Sequence, residues 1–93
     1  MARKKLSEEE TETALADLSG WTTENKNLKK RFEFNNFAES LDFVNRVGAI
    51  AEERDHHPDT TFGWGYAEFS IMTHDAGGLT QNDFALAKEI DEI

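Results

Sequence analysis

Two of the chain's three histidines are adjacent, in the stretch AEERDHHPD at 51–59, and the third, His74, follows in THDAGGLT at 73–80. Neighbouring side chains in an extended segment point to opposite faces, so packing alone gives little reason for a histidine pair. Convergence on one small ligand gives a better one. Histidine titrates near neutrality, and two or three imidazoles in one pocket supply both a proton donor and a proton acceptor without extreme tuning. Glu52 stands four residues before His56, within reach as the carboxylate that orients its ring, and Glu53 and Asp55 are rival orienters. A carboxylate so placed favours imidazolium, and hence a proton donor.

The same residues have other readings. A surface pair at a helix end, with His74 at another turn, needs no ligand at all. A site built from His56, His57, His74 and one carboxylate would suit zinc, although adjacent histidines are not a usual zinc signature. Asp83 falls at the third position of a helix capped by Thr80, where a carboxylate answers free N–H groups with or without a ligand. No G-x-S-x-G elbow is present, and AGG at 76–78 lacks the Lys-Ser/Thr of a phosphate loop.

The elements that must position these groups follow from hydrophobic spacing. Ser7 with Glu10 predicts a capped first helix carrying Ala14, Leu15 and Leu18, ended by Gly20 at positive φ. Trp21 then starts a strand, TTENKN reads as a hairpin turn, and LKKRFEF alternates. Leu28, Lys30, Phe32 and Phe34 share one face, with Lys29, Arg31 and Glu33 on the other. Asn36 and Glu39 open a second helix over about 37–53, striped by Phe37, Leu41, Val44, Val47 or Gly48, and Ala51. A glycine on that side would permit close helix-to-sheet approach. Pro58 excludes helix for His57, so the histidine pair sits where the helix has ended.

Residues 61–73 read as one long strand, or two interrupted at GWG. Ala67, Phe69, Ile71 and Thr73 share its apolar face, and Trp64, Tyr66, Glu68 and His74 the other. Trp64 and Tyr66 either meet a second subunit or wall a pocket. Thr80 caps the last helix, with Asp83 in its first turn. The order helix, two strands, helix, two strands, helix predicts an α+β two-layer sandwich, a four-stranded antiparallel sheet with helices packed on one face. A sheet open on its other side favours a homo-oligomer.

Ninety-three residues make one domain, with a loose arm expected at about 1–6. Nineteen acidic against ten basic residues give a net charge of −9, which argues against nucleic acid or anionic lipid as direct partners. The basic run KNLKKR at 26–31 reads as a solvated strand face. There is no cysteine, hence no disulfide or thiolate site, and cytoplasmic residence is the expectation. No apolar signal or membrane-spanning stretch is seen.

Taken together, LSGW at 18–21, RFEF at 31–34, AEERDHHPD at 51–59, THDAGGLT at 73–80 with Asp83, and ALAKEIDEI at 85–93 resemble the pterin-4a-carbinolamine dehydratase family. The motifs run in family order over about residues 15–93. The resemblance implies dehydration of 4a-hydroxytetrahydropterin to quinonoid dihydropterin, without metal or organic cofactor, in a homodimer or homotetramer. It places His56, His57 and His74 as the catalytic imidazoles and Glu52 and Asp83 as supporting acids. Asp55, Pro58, Trp64, Tyr66 and Thr73 then fall at the pocket or an interface. On this reading His56, oriented by Glu52, is the general acid, His74 the base or the donor-acceptor partner on the opposite side, and His57 either binds the pterin edge or shares the acid role. Thr60 and Thr61 stand where many relatives carry an aromatic residue, so the pocket rim departs from the family pattern. The alternative is a non-catalytic pterin-binding or protein-dimerisation module.

Overall fold

The computed structural model describes residues 4–93. Its elements are α1 (Glu8–Ala16), β1 (Thr22–Glu24), β2 (Asn27–Glu33), α2 (Phe37–Arg54), β3 (Asp59–Gly63), β4 (Tyr66–Ile71), a short 3-10 turn (His74–Ala76) and α3 (Gln81–Asp91). The four strands form one antiparallel sheet in the order β1-β2-β4-β3. The two-layer α+β arrangement expected from the sequence is the one observed.

Local signals account for most element ends. Ser7 and Glu10 form the reciprocal capping box of α1, Ser7 N–H to Glu10 Oε1 at 2.8 Å and Glu10 N–H to Ser7 Oγ at 3.0 Å. The Ser7 backbone N–H, and then its hydroxyl, hold the Glu10 carboxyl below its ordinary value. That contribution to helix stability is present above the ordinary carboxylate range and is lost as pH falls through the lowered value. The helix ends earlier than Gly20, because the Asp17 and Leu18 N–H groups bond Ala14 and Leu15 in a tightening last turn. Gly20 does adopt φ +84°, but in the turn that leads to Trp21. In the expected loose arm, Leu6 is buried and its N–H donates to Leu79 O at 2.8 Å; Met1 to Arg3 lie outside the described residues.

The first hairpin is tighter than TTENKN suggested. Thr22–Glu24 is already strand, and only Asn25 and Lys26, both at positive φ, make the turn. The alternation along β2 holds, with Leu28 fully buried and Lys29, Arg31 and Glu33 exposed. Lys30 belongs to the apolar side because its ammonium has partners there: Ser19 O at 2.8 Å, Asp91 Oδ1 at 2.9 Å and the Phe32 ring at 4.7 Å. Trp21 Nε1–H donates to the other Asp91 oxygen at 2.9 Å, so α3 is tied at its C-terminal end to the start of the sheet.

The helical stripe of α2 is only partly the core stripe. Ser40, Val47 and Ala51 are buried, and Phe43 packs on Phe32 at 4.8 Å between ring centroids. Phe37 and Leu41 are exposed, and a Cβ at Gly48 would meet nothing within 4 Å. That glycine therefore does not serve helix-to-sheet approach. The residues 59–71 form two strands, because Trp64 and Gly65, the latter at φ +82°, turn the chain back on itself. Ser40 Oγ–H donates to Gly63 O at 2.6 Å and fastens this hairpin to α2.

The open sheet face is ionic: Lys29 pairs with Glu24, and Arg31 lies between Glu33 and Glu68 and 4.3 Å from the Tyr66 ring. Its partner carboxylates hold the Arg31 guanidinium above its ordinary value, Glu33 first. On the covered face Ile90 is fully buried between helix and sheet. Ile90→Ala is expected to lower unfolding free energy by about 2–5 kcal/mol, read by chemical denaturation with the slope unchanged.

Candidate active site

The end of α2 explains why two adjacent histidines diverge. Asp55 closes the helix in the left-handed conformation, φ 52° and ψ 43°, and both its N–H and that of His56 turn back to the last helical carbonyls, His56 N–H to Ala51 O at 3.0 Å. Pro58 keeps the following chain extended into β3. Across this corner His56 turns inward and is 6% exposed, whereas His57 remains exposed.

The loop after β4 brings the remaining groups. Thr73 pairs with Gly78 in an isolated antiparallel bridge, and between them His74–Ala76 forms the 3-10 turn, closed by Gly77 at φ +73°. The loop thereby doubles back so that Thr73 meets Thr80, the N-cap of α3, with their hydroxyl oxygens 3.0 Å apart. Asp83, in the first turn of α3, is fully buried beneath them.

Asp83 is both cap and site residue. Its Oδ2 accepts the Thr80 N–H at 2.8 Å and the Thr73 hydroxyl at 2.8 Å, while Oδ1 lies 2.6 Å from His56 Nε2. A buried carboxylate is tolerable only with such a complement of donors and a helix N-terminus beside it. No buried side-chain polar atom among the described residues lacks a partner.

Glu52 corrects one expectation. It does not orient His56; it reaches His57, with Oε2 2.5 Å from Nε2, in an exposed pair. The reason is the left-handed corner, which swings His56 off the helical face that an i to i+4 contact requires. Asp83, 27 residues downstream, takes the orienting role.

His56, His57 and His74 line one open cleft of about 340 Å³, together with Asp55, Met72, Thr73 and Asp75. Larger hollows lie elsewhere, one of about 450 Å³ beside α1 at Glu9, Glu10 and Gln81, and one of about 410 Å³ on the ionic face by Lys29, Arg31 and Glu68. The cations of the latter are already paired with carboxylates, so the histidine cleft is the chemically equipped one. Trp64, 72% exposed at the hairpin tip, and Tyr66, stacked with Arg31, do not line that cleft. Pro58 shapes the corner without lining it. Among the described residues no group of three His, Cys, Asp or Glu side chains is arranged to hold a metal ion. Sequence reasoning missed Met72 and Asp75 as wall residues and Thr80 as a partner of Thr73. The capping signature at Thr80 was visible, but nothing local said which strand end it would face.

An α+β sandwich with three imidazoles on one cleft, one of them backed by a buried carboxylate, defines a protein equipped for proton transfer. The chain matches the family model for pterin 4 alpha carbinolamine dehydratase over residues 4–93 and belongs to that family. A relative in Rubrobacter xylanophilus, with the name "Putative pterin-4-alpha-carbinolamine dehydratase", is 48% identical over 89 residues, 95% of this chain and 83% of its own. One of the same name in Sulfolobus acidocaldarius is 45% identical, covering 96% and 98%. The crystal structure of a transcriptional coactivator/pterin dehydratase from Brucella melitensis superimposes with a TM-score of 0.92 at 26% identity, over 96% of this chain and 97% of that one.

Replacing Asp83 by Ala should orphan the Thr73 hydroxyl, the Thr80 N–H and His56 at once, at about 1–3 kcal/mol for each buried group left unpaired. Both are read by urea titration, in which Glu52→Gln, at an exposed position, should stay within about 0.5 kcal/mol of wild type.

Proposed function

We propose that this chain dehydrates a 4a-hydroxytetrahydropterin to the quinonoid dihydropterin by histidine acid/base catalysis. The observation that carries the reading is the sharing of one cleft by His56 and His74, with His56 held at its far side by Asp83. Membership of the dehydratase family supports the choice of substrate.

The reaction needs no oxidant. The C4a–O bond breaks as the departing hydroxyl takes a proton, the N5 proton is lost, and the N5 electron pair forms the C4a=N5 double bond while water leaves. One group must give a proton and another must take one, and imidazoles do both near neutral pH. Asp83 does for His56 what a buried carboxylate does in a Ser-His-Asp triad: it holds the ring and stabilises the imidazolium that forms. His57, exposed and paired with Glu52, stands at the mouth of the cleft, where it meets the pterin edge.

Assembly as a homodimer or homotetramer belongs to the same proposal. It is supported by Phe37 and Leu41, 44% and 39% exposed on α2, and by Trp64 at the hairpin tip. Residence in the cytoplasm is proposed on the cysteine-free composition.

A dehydration assay on 4a-hydroxytetrahydropterin tests the reading. His56→Ala and His74→Ala are each expected to slow turnover by roughly 10²–10⁴-fold with the far-ultraviolet spectrum retained. Wild-type rates in both variants would remove these histidines from the reaction, and an inactive wild type would favour the non-catalytic binding module. For assembly, Leu41→Glu should lower the mass measured by light scattering, and an unchanged mass would exclude that face of α2.

A further inference from the structure

We infer that Thr73 and Thr80 are positioning residues whose hydroxyls impose one direction on a hydrogen-bond relay, so that neutral His56 carries its proton on Nε2 and meets the substrate with a bare Nδ1. The inference deepens the dehydratase reading and assigns the proton-accepting role within it.

The direction follows from counting protons. A hydroxyl has a single hydrogen to give, and an ionised carboxylate has none. Asp83 Oδ2 accepts the Thr80 N–H at 2.8 Å and the Thr73 O–H at 2.8 Å, which uses the only proton Thr73 has. With that proton committed, the contact of 3.0 Å between the Thr73 and Thr80 hydroxyl oxygens runs from Thr80 to Thr73, in preference to the longer 3.5 Å approach of Thr80 Oγ1 to Asp83 Oδ2. Thr80 Oγ1 in turn accepts the Asn82 N–H, at 3.2 Å, from the first turn of α3. Asn82, Thr80 and Thr73 therefore donate in turn toward the Asp83 carboxylate, and the orientation of the series is anchored in a backbone amide that cannot reverse. Bonds aligned in this way polarise one another.

The relay leaves Asp83 Oδ1 as a pure acceptor, 2.6 Å from His56 Nε2. The ring must donate there. All of these side chains are essentially withdrawn from water: Thr73, Thr80 and Asp83 are 1%, 2% and 0% exposed, so solvent does not offer an alternative set of partners. A neutral imidazole has one N–H, and with Nε2 protonated the lone pair is on Nδ1. Neutral His56 can then only accept from a substrate. It takes the N5 proton and becomes imidazolium against Asp83, and a different acid of the same cleft, with His74 the other imidazole beside Thr73, protonates the leaving hydroxyl. Exchange with water after product release restores both rings. The sequence had suggested His56 as the acid; a neutral ring whose single N–H is committed to Asp83 has only a lone pair to offer the substrate, so the roles reverse.

Nitrogen-15 NMR of the imidazoles, recorded at alkaline pH where the rings are neutral, reads the tautomer directly and without substrate. In the wild type His56 is expected with a protonated Nε2 and an unprotonated Nδ1. Thr73→Val should mix the two tautomers and lower kcat by about tenfold while KM changes less than about twofold. Thr73→Ser, which restores the hydroxyl but not the methyl, should recover both readouts, whereas a purely packing role would leave Ser no better than Val. A wild-type ring protonated on Nδ1 overturns the proposal, as does a folded Thr73→Val with unaltered tautomer and kcat. A wild type that shows the expected tautomer but no pterin turnover overturns the assigned reaction and upholds the relay.

Discussion

A carboxylate with no access to water organises this protein. Asp83 is fully buried, and its charge is tolerable only because a helix N-terminus, a backbone N–H, a hydroxyl and an imidazole all meet it. Those groups come from three parts of the chain: the N-terminus of α3, the segment that follows β4, and the corner after α2. Satisfying one buried charge therefore fixes three elements against one another. The same contacts orient the His56 ring, so stability and the geometry of the candidate site are here a single requirement.

The corner at Asp55 is the second constraint. A non-glycine residue in the left-handed conformation is uncommon, and asparagine and aspartate bear it best. By closing α2 in this way, the chain sends one histidine into the interior and leaves its neighbour at the surface. Two residues of the same type thus acquire different partners, a buried aspartate for His56 and an exposed glutamate for His57. The exposed pair is screened by water and contributes little to folding, while the buried one is intolerant of losing either member.

The far end of α3 is held by different means. Asp91 is shared between the Trp21 indole and the Lys30 ammonium, which itself stands over the Phe32 ring. The helix is thus tied down at both Asp83 and Asp91, with Leu86, Ala87 and Ile90 buried between them. The opposite sheet face carries paired charges in place of a second helical layer, and the exposed apolar side chains are instead on α2 and the hairpin tip.

The sequence by itself determined the architecture, because alternation in LKKRFEF, capping residues at Ser7, Asn36 and Thr80, and the breaker Pro58 act over a few residues and leave local marks. It also marked the three histidines and Asp83 as the chemically capable set. What it could not determine were their pairings. Glu52 is four residues from His56 and Asp83 is 27, yet the ring faces Asp83, since the direction of a side chain leaving a helix end depends on one left-handed residue and on which loop packs opposite. The outward side of α2 was hidden for a related reason: Phe37 and Leu41 fit a core stripe by spacing, and only the position of the sheet decides which part of a broad apolar surface it covers. Periodicity is a property of the chain, whereas burial and hydrogen-bond direction belong to the assembled layers.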